Sequence, residues 1–180
     1  SILSNPLLNN RIKPGDEIIT PAVTWATTVY PISNINATPR LVDVKLDDYT
    51  IDPESIENAI NNKTKAIMIV HLLGNPCDMN KIVKIAKKHN LWLIEDACEA
   101  HGAKFNGKHV GTFGDLATFS FFASHHITTM EGGMLTTNNK VLHEFGKSMR
   151  TFGWSRELSS KKQLEKNFSN IDPRFLFVNT

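Results

Sequence analysis

The sequence predicts an α/β fold built on a largely parallel sheet with helices on both faces. Apolar runs of strand length alternate with segments of helical periodicity, the order expected of βα units. One run, Ala66-Ile67-Met68-Ile69-Val70, is apolar at every position, as a strand covered on both faces must be. Several runs also end on residues capable of chemistry, at the strand end where open α/β sheets bind ligands.

In chain order, the Pro14-Gly15 turn introduces a strand over 16–20, and Trp25 to Ile35 forms a helix that Pro31 bends or ends. The next strand is Arg40-Leu41-Val42-Asp43-Val44. Asp52-Pro53 supplies an N-cap and a first-turn proline. Ile56, Ala59 and Ile60 then form the buried stripe of a helix ending near Asn61-Asn62. A strand over 65–70 follows. Asp78 caps a helix with Met79, Ile82, Val83 and Ala86 on one face and Lys81, Lys84, Lys87 and Lys88 elsewhere, and 91–96 is again a strand. From Thr118 to Leu135 the pattern is strand, polar loop with His125 and His126, a turn through Gly132-Gly133, and strand. There is no internal repeat.

Composition narrows the classes. The 180 residues, 41% hydrophobic, can bury a core, and 20 basic against 18 acidic residues leave a formal charge of +2 with no concentrated patch. Neither nucleic acid nor an anionic membrane is an expected partner. Cys77 and Cys98 are too few and too far apart for a disulfide framework or a metal ribbon, so a reducing, cytoplasmic location is expected and no metal site. No run approaches the roughly 20 apolar residues of a membrane span. The start, Ser1-Ile2-Leu3-Ser4-Asn5-Pro6, and the strand-like run Phe175-Leu176-Phe177-Val178-Asn179-Thr180 suggest a fragment.

From the residues alone several candidates keep two readings. His125 and His126 are bases, donors or metal ligands, or else a hydrogen-bonded loop pair. Asp96, ending an apolar strand, needs a cationic or donor partner, or it caps a following helix. Trp25, after a strand-like segment, reads on its own as core. Ser120 reads on its own as an inward hydroxyl bonded to the sheet backbone. His71 lines the same crevice or stabilises a turn, and receives no role.

The stretch Ser120-Phe121 to His125-His126-Ile127-Thr128-Thr129-Met130-Glu131-Gly132-Gly133 resembles a motif of the pyridoxal-phosphate-dependent sugar aminotransferase and dehydratase family. There a strand ends in Ser-Phe and is followed by Lys, one residue, and Ile-Thr-Thr-Gly-Glu-Gly-Gly. Asp96-Ala97-Cys98-Glu99-Ala100-His101-Gly102 is similar to the family's Asp-Ala-x-Gln-Ala-His-Gly. The family's cofactor-bonding lysine falls on His125, its glycine on Met130 and its glutamine on Glu99. Histidine at this place resembles the 3-dehydratase branch, which makes 3,6-dideoxysugars.

The resemblance implies the aspartate-aminotransferase fold, a three-layer sandwich with a mostly parallel mixed sheet. Residues 1–180 would be part of the large cofactor-binding domain, with an upstream phosphate loop and a C-terminal small domain outside them. It implies pyridoxal 5'-phosphate and its pyridoxamine form as cofactor. Asp96 would pair with the pyridine nitrogen, Trp25 stack on the ring, Glu99 sit near the phenolic oxygen with a shared proton, and Ser120 bind the phosphate. His125 would be the catalytic base and acid. The implied substrate is a nucleotide-linked 4-keto-6-deoxyhexose of the GDP-4-keto-6-deoxy-D-mannose kind, on the way to colitose-type sugars of lipopolysaccharide O-antigen. L-glutamate is the implied amino donor, ammonia the by-product, and a homodimer with shared active sites the implied assembly. Related iron-sulfur 3-dehydrases need four cysteine ligands, and no cysteine follows Cys98, so the cluster-free branch fits better. A nucleotide-sugar 4-aminotransferase and an inactive cofactor-binding homologue are the alternatives.

Overall fold

After the Pro14-Gly15 turn, where Gly15 takes φ +84°, the chain enters β1 (Glu17–Pro21), whose last four residues are buried. The computed structural model describes residues 2–6, 8–167, 169 and 172, so the apolar run 175–180 lies outside the described residues. The chain divides into two compact units, Ile12–Asn138 and Ser1–Arg11 with Asn139–Thr180.

In the larger unit, β1 is followed by α1 (Ala26–Asn34), β2 (Thr38–Val42), α2 (Pro53–Ala59), β3 (Thr64–Val70), α3 (Met79–Lys88) and β4 (Trp92–Asp96). A small hairpin, β5 (Lys104–Phe105) and β6 (Lys108–His109), turns through Asn106-Gly107, and β7 (Leu116–Ser120) and β8 (Gly133–Thr136) complete the unit. The sheet order is β2-β1-β3-β4-β7-β8, parallel throughout except for β8, which pairs antiparallel with β7. The fold is therefore the expected α/β architecture with a mostly parallel mixed sheet.

Several boundaries differ from the sequence pattern, each for a local reason. Residues 38–42, not 40–44, form β2, because the Thr38 N–H donates to the Asp16 carbonyl and sets the register Glu17 to Thr38. Val44 instead makes an isolated antiparallel bridge to Ile51. Asp52 caps α2 by accepting from Glu54 N and Ser55 N, with Pro53 in the first turn. The helix ends at Ala59 rather than near Asn61, because Asn61 makes a turn: its Oδ1 accepts from Lys63 N at 2.8 Å and its N–H donates to Thr64 Oγ1 at 3.0 Å. Pro31 sits inside α1 without ending it.

The core gathers around the sheet. Ile56 and Ala59 of α2 and Met79, Ile82, Ile85 and Ala86 of α3 pack in one cluster with Ile19, Ile67, Ile69 and Leu93 of the strands. Each large aliphatic side chain buried this way stabilises by roughly 1.5–3 kcal/mol. Ile32 and Thr28 of α1 are buried outside that cluster, as expected when right-handed crossovers place α1 on the opposite face of the sheet from α2 and α3.

In the smaller unit, Asn139 caps α4 (Lys140–Met149) by accepting from Val141 N and Leu142 N. Glu144 accepts from the Ser159 N–H at 2.7 Å ahead of α5 (Lys161–Asn167). Among the described residues no helix is long and apolar enough to cross a membrane.

Candidate active site

The carboxyl ends of β1, β3, β4 and β7 open onto a cavity of about 680 Å³ within the larger unit. Trp25, Asp96, Glu99, Ser120 and His125 all line it. This is the position the parallel topology dictates: the strand ends present loops whose polar groups need not be buried.

Asp96 is the last residue of β4, in register with Val70 of β3 and Thr118 of β7. No helix begins behind it, so the helix-cap alternative is corrected: its Oδ1 accepts from Cys98 N at 3.2 Å and closes a turn. Its Oδ2 accepts from Thr28 Oγ1 at 2.9 Å, and Thr28 in turn accepts from Thr24 Oγ1 at 2.8 Å. Burial, then the neighbouring Asp96 charge, pushes the Cys98 thiol up to about 12, so it stays protonated and unreactive.

Glu99 stands in the turn after β4, where one carboxylate oxygen accepts from Leu73 N at 2.7 Å. Leu73 itself adopts φ +52°, a left-handed conformation uncommon for a residue with a side chain. Ser120 ends β7; its hydroxyl accepts from the Phe122 N–H at 3.2 Å, just beyond the sheet rather than within it. The Ser120 carbonyl accepts from His101 Nε2 at 2.8 Å, and the His101 ring lies 5.3 Å from both Phe119 and Phe121, so the strand end is held from the side. Trp25, at the N-cap of α1, is 77% exposed and is not a core residue.

The histidine pair separates. His125 is half-buried on the cavity wall, its N–H donating to the Phe122 carbonyl at 3.0 Å and its ring edge-on to Phe122. His126 is exposed and is not part of that wall. The loop is pinned by Phe121 N to the Gly132 carbonyl and Thr129 N to the Phe121 carbonyl, both at 2.9 Å. Within it Met130 adopts φ +69°, a left-handed conformation that glycine takes without strain.

His71 lies outside this wall and is fully buried. Its Nδ1 accepts from Cys77 N at 3.2 Å, which places its proton on Nε2, and Nε2 donates to Glu95 at 3.1 Å. The turn-stabilising reading of His71 holds. No cluster of three or more His, Cys, Asp or Glu side chains able to hold a metal is present among the described residues.

Residues 3–172 match the DegT/DnrJ/EryC1/StrS aminotransferase family. The chain belongs to this family. Among DegT/DnrJ/EryC1/StrS relatives, the GDP-4-keto-6-deoxy-D-mannose 3-dehydratase of Escherichia coli O55:H7 is 43% identical over 93% of this chain and 44% of that protein. The enzyme of the same name from Yersinia pseudotuberculosis is 41% identical over 93% of this chain and 43% of its own length. A GDP-perosamine synthase of Escherichia coli O157:H7 is 51% identical, over 77% of this chain and 38% of its own. The solved structure of the E. coli GDP-4-keto-6-deoxy-D-mannose 3-dehydratase with bound hydrated pyridoxal phosphate superposes with a TM-score of 0.89 at 40% identity, covering 99% of this chain and 46% of that one. The chain thus spans less than half the length of these relatives.

For this DegT/DnrJ/EryC1/StrS chain, sequence reasoning left Thr24, Thr28, Leu72 and Glu131 unassigned, although all four line the cavity. The four-residue spacing of Thr24 and Thr28 at a helix start was the available signal for a hydroxyl pair on one face. Glu131 stands at the glutamate of the motif Ile127 to Gly133, which named its place but no role, and Leu72 carried no signal.

Proposed function

We propose that this chain is the cofactor-holding part of a pyridoxal-phosphate-dependent 3-dehydratase acting on a nucleotide-linked 4-keto-6-deoxyhexose, GDP-4-keto-6-deoxy-D-mannose in particular. Its product would feed dideoxysugar synthesis for lipopolysaccharide O-antigen. The observation that carries this is His125: it stands on the wall of the cavity that holds Asp96, where the family motif has lysine. The 43% identity to a 3-dehydratase supports it.

The residues present fit the cofactor. Each carboxylate oxygen of Asp96 accepts a hydrogen bond from the protein, and Asp96 lines a cavity of about 680 Å³ with an exposed tryptophan ring and a strand-end serine. Bound there, pyridoxamine phosphate supplies the amine that condenses with the 4-keto group and an electron sink for the elimination. Asp96 holds a proton on the pyridine nitrogen, and Trp25 covers a ring face. Ser120, its oxygen engaged by Phe122 N–H, keeps its own hydrogen for a phosphate oxygen. Glu99, one oxygen held by Leu73 N–H, keeps the other for the phenolic oxygen and shares a proton with it. His125 would take a proton at the cofactor's methylene carbon and give one to the departing 3-hydroxyl, which would leave as water. The nitrogen, drawn from L-glutamate, would leave as ammonia when water restores the sugar's 4-keto group. Since His125 makes no covalent link to the aldehyde, the outcome is deoxygenation rather than return of an aminosugar.

The same reading takes the chain as part of the large domain, with a phosphate loop and a small domain beyond it; the length of the relatives supports this. Assembly into a homodimer with shared active sites is supported by exposed apolar side chains, Trp25 and Phe122, on the cavity wall. A cytoplasmic location is supported by the free thiols of Cys77 and Cys98.

The second reading, a 4-aminotransferase, is favoured by the 51% identity to GDP-perosamine synthase over the shorter match. Incubating the intact protein with the ketosugar, pyridoxal phosphate and L-glutamate separates the two. Ammonia and a 3-deoxy ketosugar are expected; a 4-aminosugar without ammonia overturns the dehydratase in favour of the aminotransferase. Neither product points to a cofactor-binding homologue without activity.

A further inference from the structure

A chain of two hydroxyls ends on the carboxylate at the centre of the cavity. Thr28 donates to Asp96 Oδ2 at 2.9 Å, and Thr24 donates to Thr28 at 2.8 Å. A hydroxyl has one proton. That of Thr28 is committed to Asp96, so Thr28 must accept from Thr24, and Thr24 is left with only acceptor lone pairs for anything in the cavity. The other carboxylate oxygen accepts from Cys98 N at 3.2 Å. Each oxygen of Asp96 thus accepts a hydrogen bond from the protein, and the carboxylate cannot rotate without breaking both bonds.

The placement of Thr28 makes the contact rigid. It is the third residue of α1, only 1% exposed, and its own N–H donates to the Trp25 carbonyl at 3.0 Å. Asp96 and Thr28 come from elements 68 residues apart in the chain, so the bond ties the start of α1 to the end of β4 at the cavity.

We infer that Thr28, backed by Thr24, is a positioning residue that aims the Asp96 carboxylate at the cofactor's pyridine nitrogen. This rests on the proposed pairing of Asp96 with that nitrogen. A bond to an ionised acceptor is stronger than a neutral one, and outer partners that orient a ligating group commonly change affinity by about 10-fold or more when removed. Thr28→Val keeps the shape and deletes the donor; Thr28→Ser keeps the donor.

The test compares, in the intact protein, the dissociation constants of pyridoxal phosphate and of its carbocyclic analogue, in which the ring nitrogen is replaced by C–H. The wild type is expected to prefer the nitrogen-bearing ring. Thr28→Val should lose about 10-fold of that preference with its affinity for the analogue unchanged, and Thr28→Ser should retain it. An unchanged preference in Thr28→Val, or an equal loss of affinity for both compounds, overturns the positioning role. A wild type that does not discriminate overturns instead the pairing of Asp96 with the ring nitrogen. If Thr28→Val does not fold, Thr24→Val, which reaches Asp96 only through Thr28, should show a smaller loss of preference, and no loss there overturns the inference.

Discussion

His71 and Glu95 form a fully buried pair, with the imidazole Nε2 donating to Oε2 of the carboxylate over 3.1 Å. The same carboxylate accepts from the N–H groups of Gly111, Phe113 and Gly114 at 2.7, 2.7 and 2.6 Å. Glu95 therefore ties the turn after β3 and the segment before β7 to β4, one residue from Asp96. Successive strand residues face opposite sides, so one carboxylate is enclosed as a fastening while its neighbour opens onto the cavity.

Burial alone would push the Glu95 carboxyl up, but the hydrogen bonds from His71, Gly114 and Gly111 outweigh it and hold it below the usual glutamate range. A depressed folded-state value means stability that is fully present above the unfolded value, about 4.3, and lost as pH falls through the folded one. Glu95→Gln turns an amide NH₂ toward backbone donors and should cost about 3 kcal/mol at neutral pH. Thermal unfolding from pH 7 to pH 3 checks this: the gap between wild type and variant should be widest at pH 7 and narrow below about pH 4.

Asp96→Asn keeps the shape and removes the charge beside the proposed pyridinium. Turnover should fall by roughly 100-fold or more, the scale of a lost electrostatic stabiliser. Steady-state assays measure it, and near-normal turnover would reduce Asp96 to the keystone of the Cys98 turn.

His125→Lys should convert a non-covalently held cofactor into one that borohydride fixes to the protein, since a lysine amine desolvated beside the aldehyde can attack it. The wild type should not be labelled, and 3-deoxygenation should drop in the variant. Because His126 is exposed and off the cavity wall, His126→Asn should change little. Mass spectrometry after reduction reads the first outcome, and product analysis the other two.

Met130 at φ +69° carries a strain that glycine would not. Met130→Gly should raise stability by about 1 kcal/mol, the scale of a left-handed non-glycine residue, in a chemical denaturation experiment. A loss of that size would mean that the exposed Met130 side chain makes a contact in the intact protein that outweighs the strain.

Local chemistry settled much of this in advance. The uninterrupted apolar run at 66–70 read as a strand covered on both faces, which β3 is, and Asp52-Pro53 and Asp78 announced helix starts because their side-chain oxygens satisfy amides that have no partner within the helix. Motif wording placed His125, Asp96, Glu99 and Ser120 in one family pattern. What the chain order could not express was coincidence in space. Thr28 and Asp96 meet across 68 residues, and His71 and Glu95 across 24, because parallel strands bring the ends of β1, β3 and β4 together. Periodicity describes a residue's face on its own element; which of two adjacent histidines joins the cavity wall, and which of two adjacent carboxylates is enclosed, depends on how the sheet and its loops close around them.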